Sequence, residues 1–482
     1  MSFSVLRRSL CASLMLLSLL GCGSSDQGGN GGEGVAGGAG GTSNGTGGAG
    51  GTSPGVGGSG TGGSAGAETG GVDAGGAATG GSGGTAPGGA GGATVGGTGG
   101  TAGASGGSGG SGGQVSPEGF MHPGILVNAG MLDFVKGKLA QDQEPWKSAL
   151  SKAQNSKFGK LSYTPHPRAE VECGSYSNPD VGCSDEKNDC VAAYTHALLW
   201  FYTGDSAHAE KAIEIMNAWS GAIQGHTNSN APLQSAWVME TFPRAAEIIR
   251  YTYSGWPEVE ANRFGQMLRD VYQPLIENGS SANGNWELSM IEGLLNIAVY
   301  NDDRVLFDKG LKMWRERVPA YIYLESDGSA PVPPPRGNKT GSALVSYWYG
   351  QTTYVNGLSQ ETCRDLGHTQ YGLAAIINAA ETAYIQGVDL YAEQADRIRY
   401  GLGFHAQYLN GASVPSWLCG GTLNSASAKP MWEIGYNHFA NRLGNDMPQT
   451  HAVTLSVRPT ATDHHMDWET LTHGDSGWAG LE

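Results

Sequence analysis

Over most of the chain from residue 116 onward, apolar residues recur three and four positions apart, the period of helices with one buried face. The segment 189–203 (DCVAAYTHALLWFYT) has that spacing and stops before Gly204-Asp205; 206–220 (SAHAEKAIEIMNAWS) resumes it after the turn. The same pattern predicts helices at 233–252, 257–276, 286–300, 303–318, 369–386, 390–407 and about 430–442. Several come in pairs: a mostly apolar helix, a tight turn with Gly or Asp, then a more charged helix. Antiparallel pairs of inner apolar and outer charged helices predict an all-α fold, an (α/α) toroid or incomplete helical barrel. An α-solenoid would carry a repeat of fixed period, and the sequence shows none. Strand-like alternation is scarce until 451–457. Two long stretches, 321–362 and 409–429, have no helical period. Loops this long inside a domain are usually functional, and in a toroid they would rim the central groove.

The first 115 residues follow different patterns. Arg7 and Arg8 precede an apolar run at 10–20, and Leu19-Leu20-Gly21-Cys22 reads as a lipobox. The run is too short to span a bilayer. Residues 1–22 are therefore expected to be a lipoprotein signal peptide, with Cys22 acylated after cleavage. The paired arginines also permit a twin-arginine signal, although the rest of that motif is absent. Gly23, in place of an aspartate, resembles lipoproteins sent to the outer membrane. From 23 to 115 the chain is Gly, Ser, Thr and Ala with almost no large apolar side chain. Such a stretch cannot offset its ordering entropy and is expected to be a disordered tether with a reach of roughly 50 Å. The expected location is exported, lipid-anchored at the cell surface or periplasmic, with the membrane contacted only through lipid.

That leaves 116–482 as a single folded domain, and composition changes the picture of it in three ways. Most of the 80 glycines lie in the tether, so whole-chain averages describe the domain badly. The formal charge of −16 argues against nucleic acid as a partner, although net charge does not describe a cleft. Cys173 and Cys183 bracket a polar loop and are expected to pair; Cys363 with Cys419 is a second candidate pair that would leave Cys190 as a buried thiol, and the sequence leaves the pairing of these three open. No cysteine spacing fits zinc, no Gly-rich phosphate loop precedes a strand–helix unit, and no nucleophile elbow is present. The expectation is a monomer without cofactor.

Two segments carry candidate chemistry. NGNWELSM at 283–290 opens a predicted helix, and ETCRDLGHTQY at 361–371 runs from a loop into another. Arg364, His368 and Tyr371 stand at i, i+4 and i+7, on one face if the helix is continuous. If Gly367 breaks it, they still converge where the loop enters the helix. From about His122 onward the chain resembles the alginate-lyase-like (α/α)-toroid enzymes, polysaccharide lyase family thirty-eight most closely and family five more distantly. NWELSMIE (285–292), DDRVLFD (302–308) and ETCRDLGHTQY (361–371) carry the resemblance. In family five an Arg and a Tyr seven residues apart supply charge stabilisation and proton transfer, and Arg364 and Tyr371 match that spacing. The family's Asn-His pair matches only at Asn285, because Trp286 follows it; the histidine's role is transferred to His368.

The resemblance implies a lyase that cuts β-1,4-linked uronate polymers, mannuronan-type alginate or glucuronan, by β-elimination. Such an enzyme removes the C5 proton beside a carboxylate and expels O4, leaving a C4–C5 unsaturated end. Arg364 and Asn285 are suited to stabilise the charge that develops on the carboxylate, with His368 contributing. Tyr371, its phenol pKa lowered by Arg364, would take the C5 proton and return one to O4. One residue can do both only where proton and leaving oxygen share a face, as in mannuronate and glucuronate but not guluronate, so syn elimination is expected.

Each of these residues also has a structural reading. Tyr371 fits a core position, Arg364-Asp365 an ion pair, Asn285 a helix cap. Trp237, Trp286, Trp348, Tyr349, Trp432 and Tyr436 are candidate sugar-stacking platforms, although most Trp and Tyr simply pack. Arg336, after the proline run 331–335, and His438 are further candidate substrate contacts, and His196 is a possible groove residue. His464-His465-x-Asp467 invites a metal reading, but adjacent histidines seldom reach one metal, so no metal is expected. Two rival functions remain. A glycoside hydrolase would need a carboxylate pair, with Asp189, Glu240, Glu292 and Asp365 available. A glycan-capture lipoprotein would need no proton-transfer tyrosine.

Overall fold

Four long helices, Cys183–Thr203, Ala231–Thr252, Gly284–Tyr300 and Leu366–Ile385, pack side by side in chain order in the computed structural model, which describes residues 113–424 and 426–476. Outer helices follow them: Ser206–Ser220 against the first, Arg304–Arg317 against the third, Ala395–Leu409 against the fourth. The architecture is the all-α (α/α) toroid. Local chemistry sets the helix ends. Asp205 caps Ser206–Ser220 by accepting from the Ala207 N–H at 3.0 Å, and Asp303 caps Arg304–Arg317 through Leu306 N–H at 2.9 Å. Gly204, with φ of 73°, makes the left-handed stop between the first pair.

The inner helices are apolar nearly all round, and Leu288 through Tyr300 are buried without a break. Gly293 lets two of them approach closely: a Cβ there would meet Met239 Cβ at 2.9 Å. Several of the carboxylates buried among these helices are paired. Glu186 accepts from Tyr272 and Gln234, and Glu247 holds His122 at 3.0 Å. Glu381 receives Arg442 Nη1 at 2.9 Å and the Tyr391 hydroxyl at 3.2 Å. Burial works to raise the Glu381 carboxyl, but Arg442 and His473 outweigh it and hold it well below the usual carboxylate range. A depressed folded value means stability that is complete above the unfolded glutamate range and lost as pH falls through the folded one. Glu381→Gln is accordingly expected to cost about 3–5 kcal/mol at neutral pH. The gap from wild type should narrow below pH of about 4, read by urea unfolding at both pH values.

Several elements differ from the sequence expectation. Residues 451–457 belong to a helix, Pro448–Val457, not a strand. Pro448 starts it, and Thr450, Val453 and Thr454 form its buried face, so packing overrides the β-branched composition. The segment 257–276 is Glu258–Met267 followed by a wider π turn at Leu268–Tyr272 and the short helix Gln273–Ile276. Helices Ala129–Ala140 and Trp146–Asn155 were not foreseen, and Ser342–Tyr347 interrupts the long loop 321–362. Strand Gln114–Val115 pairs antiparallel with Met121–His122, within the last residues assigned to the tether. Two other small sheets matter here. Glu170–Cys173 lies between Asp180–Val181 and Gly225–Thr227, and Thr462–Asp463 pairs with Met466–Asp467 in a hairpin.

Disulfides join Cys173 to Cys183 and Cys363 to Cys419, with Cα atoms 5.9 and 5.1 Å apart, and Cys190 is a buried free thiol. The signal segment, Cys22 and the tether up to residue 112 lie outside the described residues. Among the described residues no helix is long and apolar enough to cross a membrane.

Candidate active site

At Gly284, the first residue of helix Gly284–Tyr300, nothing larger fits: a Cβ there would lie 2.1 Å from the Tyr321 ring. That start places Asn285 in the first turn, wholly buried, facing Glu361 from the loop before helix Leu366–Ile385. Glu361 is the hub of the site. Its carboxylate accepts from Asn285 Nδ2 at 2.7 and 2.8 Å and from the Asn285 backbone N–H at 3.0 Å. It also accepts from the Tyr321 hydroxyl at 3.2 Å and Arg364 Nη1 at 2.8 Å. A carboxylate only accepts, so it fixes the Asn285 amide with nitrogen toward Glu361. Burial works to lower the Arg364 guanidinium, but Glu361 raises it, and Arg364 stays a cation.

Asp365 caps the next helix, accepting the His368 N–H at 2.7 Å, and also holds His368 Nδ1 at 2.6 Å. Burial would raise Asp365, yet the hydrogen bonds from His368 and the charge of Arg364 hold it low. The Nδ1 proton therefore faces Asp365, and in the neutral ring Nε2 is left as the acceptor. Asp365→Ala should cost about 1 kcal/mol by loss of the cap. It should also release the imidazole, seen as lowered Tm together with lowered activity.

Trp237, Asn283, Asn285, Trp286, Arg364 and His368 line one cleft of about 330 Å³. Tyr371 adjoins it one turn beyond His368, their ring centroids 5.9 Å apart. On its other side lies His464 at 4.7 Å, and His464 in turn meets Trp237 at 4.7 Å. The ammonium of Lys429 sits 4.4 Å from the Tyr371 ring centroid and pairs with Asp463 at 2.5 Å. Burial and the Asp463 charge raise the Tyr371 phenol, and Lys429 only partly opposes them. The expectation of a phenol lowered by Arg364 is thus corrected. The helix begins at Leu366, so Arg364 lies before the cap and turns to Glu361.

The other sequence candidates divide. Tyr349, 40% exposed, is close enough to Arg364 to feel its charge, and burial pushes its phenol up to about 12. Arg336 pairs with the buried Glu287, and it is not among the groups lining the cleft. Trp348 packs on Tyr354 in a small second core, and Trp432 is buried with its indole N–H on Gln370. Tyr436 stacks on His451. His438 stacks on Tyr391 at 3.8 Å beside the Glu381–Arg442 pair, and His196 meets His208 at 2.7 Å. Trp348, Trp432, His196 and His438 are buried and serve packing, and Tyr436 gives one ring face to His451, whereas Tyr349 keeps an exposed ring. Of the carboxylates, Asp189 is committed to Tyr163, His166 and Trp219, and Glu240 and Glu292 are fully buried. Lys429, Asp463, His464 and Glu361 were not anticipated. Only the acidic residue opening ETCRDLGHTQY and the His-His pair were visible as motifs.

Residues 178–414 match the family model described as alginate lyase. No curated protein matches the chain. Among solved structures, the apo form of a histidine-to-alanine variant of alginate lyase A1-III is similar with a TM-score of 0.50 and 16% identity, over 71% of this chain and 93% of that one. Alginate lyase A1-III from Sphingomonas species A1 has a TM-score of 0.48 and 16% identity over 71% and 94% of the two chains. An alginate lyase from Bacteroides ovatus has 0.46 and 14% over 75% and 100%. The first likeness and the family match together describe an alginate-lyase-like fold.

Proposed function

We propose that this protein is a polysaccharide lyase that cleaves β-1,4-linked mannuronan or glucuronan by syn β-elimination. The observation that carries the reading is that Asn285, Arg364 and His368 line one cleft with Trp237 and Trp286, and that Tyr371 packs against His368 with ring centroids 5.9 Å apart. Arg364, held by Glu361, neutralises the uronate carboxylate and stabilises the charge that develops when C5 loses its proton. Asn285, whose amide nitrogen is turned to Glu361, helps to hold that carboxylate and through it Arg364, and does not itself donate to the uronate. His368 Nε2, its ring oriented by Asp365, takes the C5 proton. The C5–H electron pair forms the C4–C5 double bond, the C4–O4 bond breaks, and the neutral Tyr371 phenol gives its proton to O4. Proton exchange with solvent then resets both groups. His368 and Tyr371 stand on one helix face at i and i+3, so both act on one side of the sugar. That geometry suits mannuronate and glucuronate, where H5 and O4 share a face.

Trp286 offers an apolar face on which a sugar ring stacks, and Trp237 lines the same cleft with Lys187 and His464 against its ring. The family match over residues 178–414 supports the lyase class. A hydrolase is disfavoured because the cleft carboxylates Glu361 and Asp365 are occupied by Arg364 and His368. The reading is tested with the full-length protein on polymannuronate, polyguluronate and glucuronan separately. Ultraviolet absorbance from the unsaturated uronate is expected on the first or third. Reducing sugar without that absorbance would mean hydrolysis, and binding without turnover would mean glycan capture. We further propose that the enzyme is exported and lipid-anchored through Cys22, with the glycine-rich segment as tether; radiolabelled palmitate incorporation lost in Cys22→Ala tests it.

A further inference from the structure

Beside Tyr371 the fold buries a second polar cluster that the reaction does not use. Helix Ala231–Thr252 supplies Glu240 and Arg244, helix Gly284–Tyr300 supplies Ser289 and Glu292, and the 462–467 hairpin supplies His465 and Asp467; all are at most 1% exposed. His465 Nδ1 lies 3.1 Å from Glu240 Oε1 and 3.2 Å from Glu292 Oε2. One ligand atom from each of these three residues lies within 4.8 Å of the others. Atoms bound tetrahedrally to zinc at 2.0–2.1 Å stand about 3.3 Å apart. The nitrogen-to-oxygen spacings here are close to that.

Charge points the same way. Three carboxylates, Glu240, Glu292 and Asp467, face one permanent cation, Arg244, which pairs with Glu292 and donates to the His465 carbonyl at 3.0 Å. With His465 neutral and all three carboxylates ionised, two negative charges are left over in a space closed to water, so either a bound cation or protons on His465 and Glu240, which the neighbouring charges and burial favour, must balance them. Hydrogen bonding does not resolve it. The single His465 Nδ1 proton is directed at Glu292, and neither oxygen of Glu240 receives a directed hydrogen bond. His465 Nε2 and Asp467 Oδ1 are also without partners. Buried polar atoms normally find partners, and this many together imply a shared one.

We infer that Glu240, Glu292 and His465 bind a divalent cation of the zinc class. Two carboxylate oxygens with an imidazole nitrogen suit zinc better than magnesium or calcium, which prefer all-oxygen sets. The burial makes the site structural: it would staple the hairpin carrying Asp463 and His464 onto two inner helices, next to Tyr371. The adjacent histidines diverge, His464 to the cleft and His465 to the cluster, so the ligands come from three distant positions that no spacing motif could signal.

The test uses untagged full-length protein, independent of any activity. Elemental mass spectrometry should find stoichiometric zinc, and removal with a chelator should lower Tm by several degrees, reversed by zinc chloride. Glu240→Gln, isosteric with a protonated glutamate, should fold yet lose the zinc and the Tm response; His465→Gln serves if that variant does not fold. Absence of zinc before and after incubation with zinc chloride, with Tm indifferent to both reagents, would overturn the inference and mean that protons balance the charge. So would zinc binding retained in both variants.

Discussion

Replacing Tyr371 with phenylalanine is expected to lower kcat by about 10²–10⁴-fold, the usual contribution of a positioned proton donor. The substitution removes one oxygen and leaves the ring against His368, His464 and Lys429, so the fold and the cleft should be unchanged. Arg364 still holds the substrate carboxylate, so KM should move little, the pattern of an interaction used in the transition state and not in the ground state. Steady-state ultraviolet kinetics with a circular dichroism control read the result. A variant within threefold of wild type would remove Tyr371 from the reaction.

The second large effect is expected at Glu361, which touches no substrate in this account. Glutamine there turns one acceptor into a donor facing Asn285 and Arg364, and leaves Arg364 with a weakened anchor. Breaking such a buried pair costs about 3–5 kcal/mol, and urea unfolding should show it. A positioning role adds something that destabilisation alone does not: kcat/KM should fall more than 10-fold under conditions where the variant is folded, because misplacement by about 1 Å can cost on the order of 10²-fold. Glu381→Gln is the control. It breaks a comparable buried pair in the Arg442 cluster, away from the cleft, and should lose stability while keeping kcat/KM. If both variants lose activity in proportion to stability, Glu361 is merely structural.

What the sequence made legible follows from how local each signal was. The inner and outer helices could be read because their apolar period is strong and their stops are explicit, as at Gly204-Asp205. Pro448–Val457 was misread because Val453, Leu455 and Val457 alternate with Thr454 and Ser456 like a strand, while the face that packs is set by distant helices. Arg364, His368 and Tyr371 were visible because one short segment carries all three. Their division of labour was not: the helix begins at Leu366, which turns Arg364 to Glu361 and leaves Tyr371 with Lys429 and Asp463. Lys429 comes from a loop and Asp463 from a two-residue strand, neither long enough to show a period, so no spacing announced them. Trp348, Trp432, Tyr436 and His438 were chosen by residue type, and an aromatic side chain reads the same in a core as in a groove.

The central claim, elimination by the Arg364–His368–Tyr371 cleft, is tested most directly by following ultraviolet absorbance while the full-length protein acts on polymannuronate, polyguluronate and glucuronan in parallel with Tyr371→Phe. A rise is expected on mannuronan or glucuronan, and it should be lost in the variant. A rise on polyguluronate alone, or one that survives in Tyr371→Phe, would contradict it.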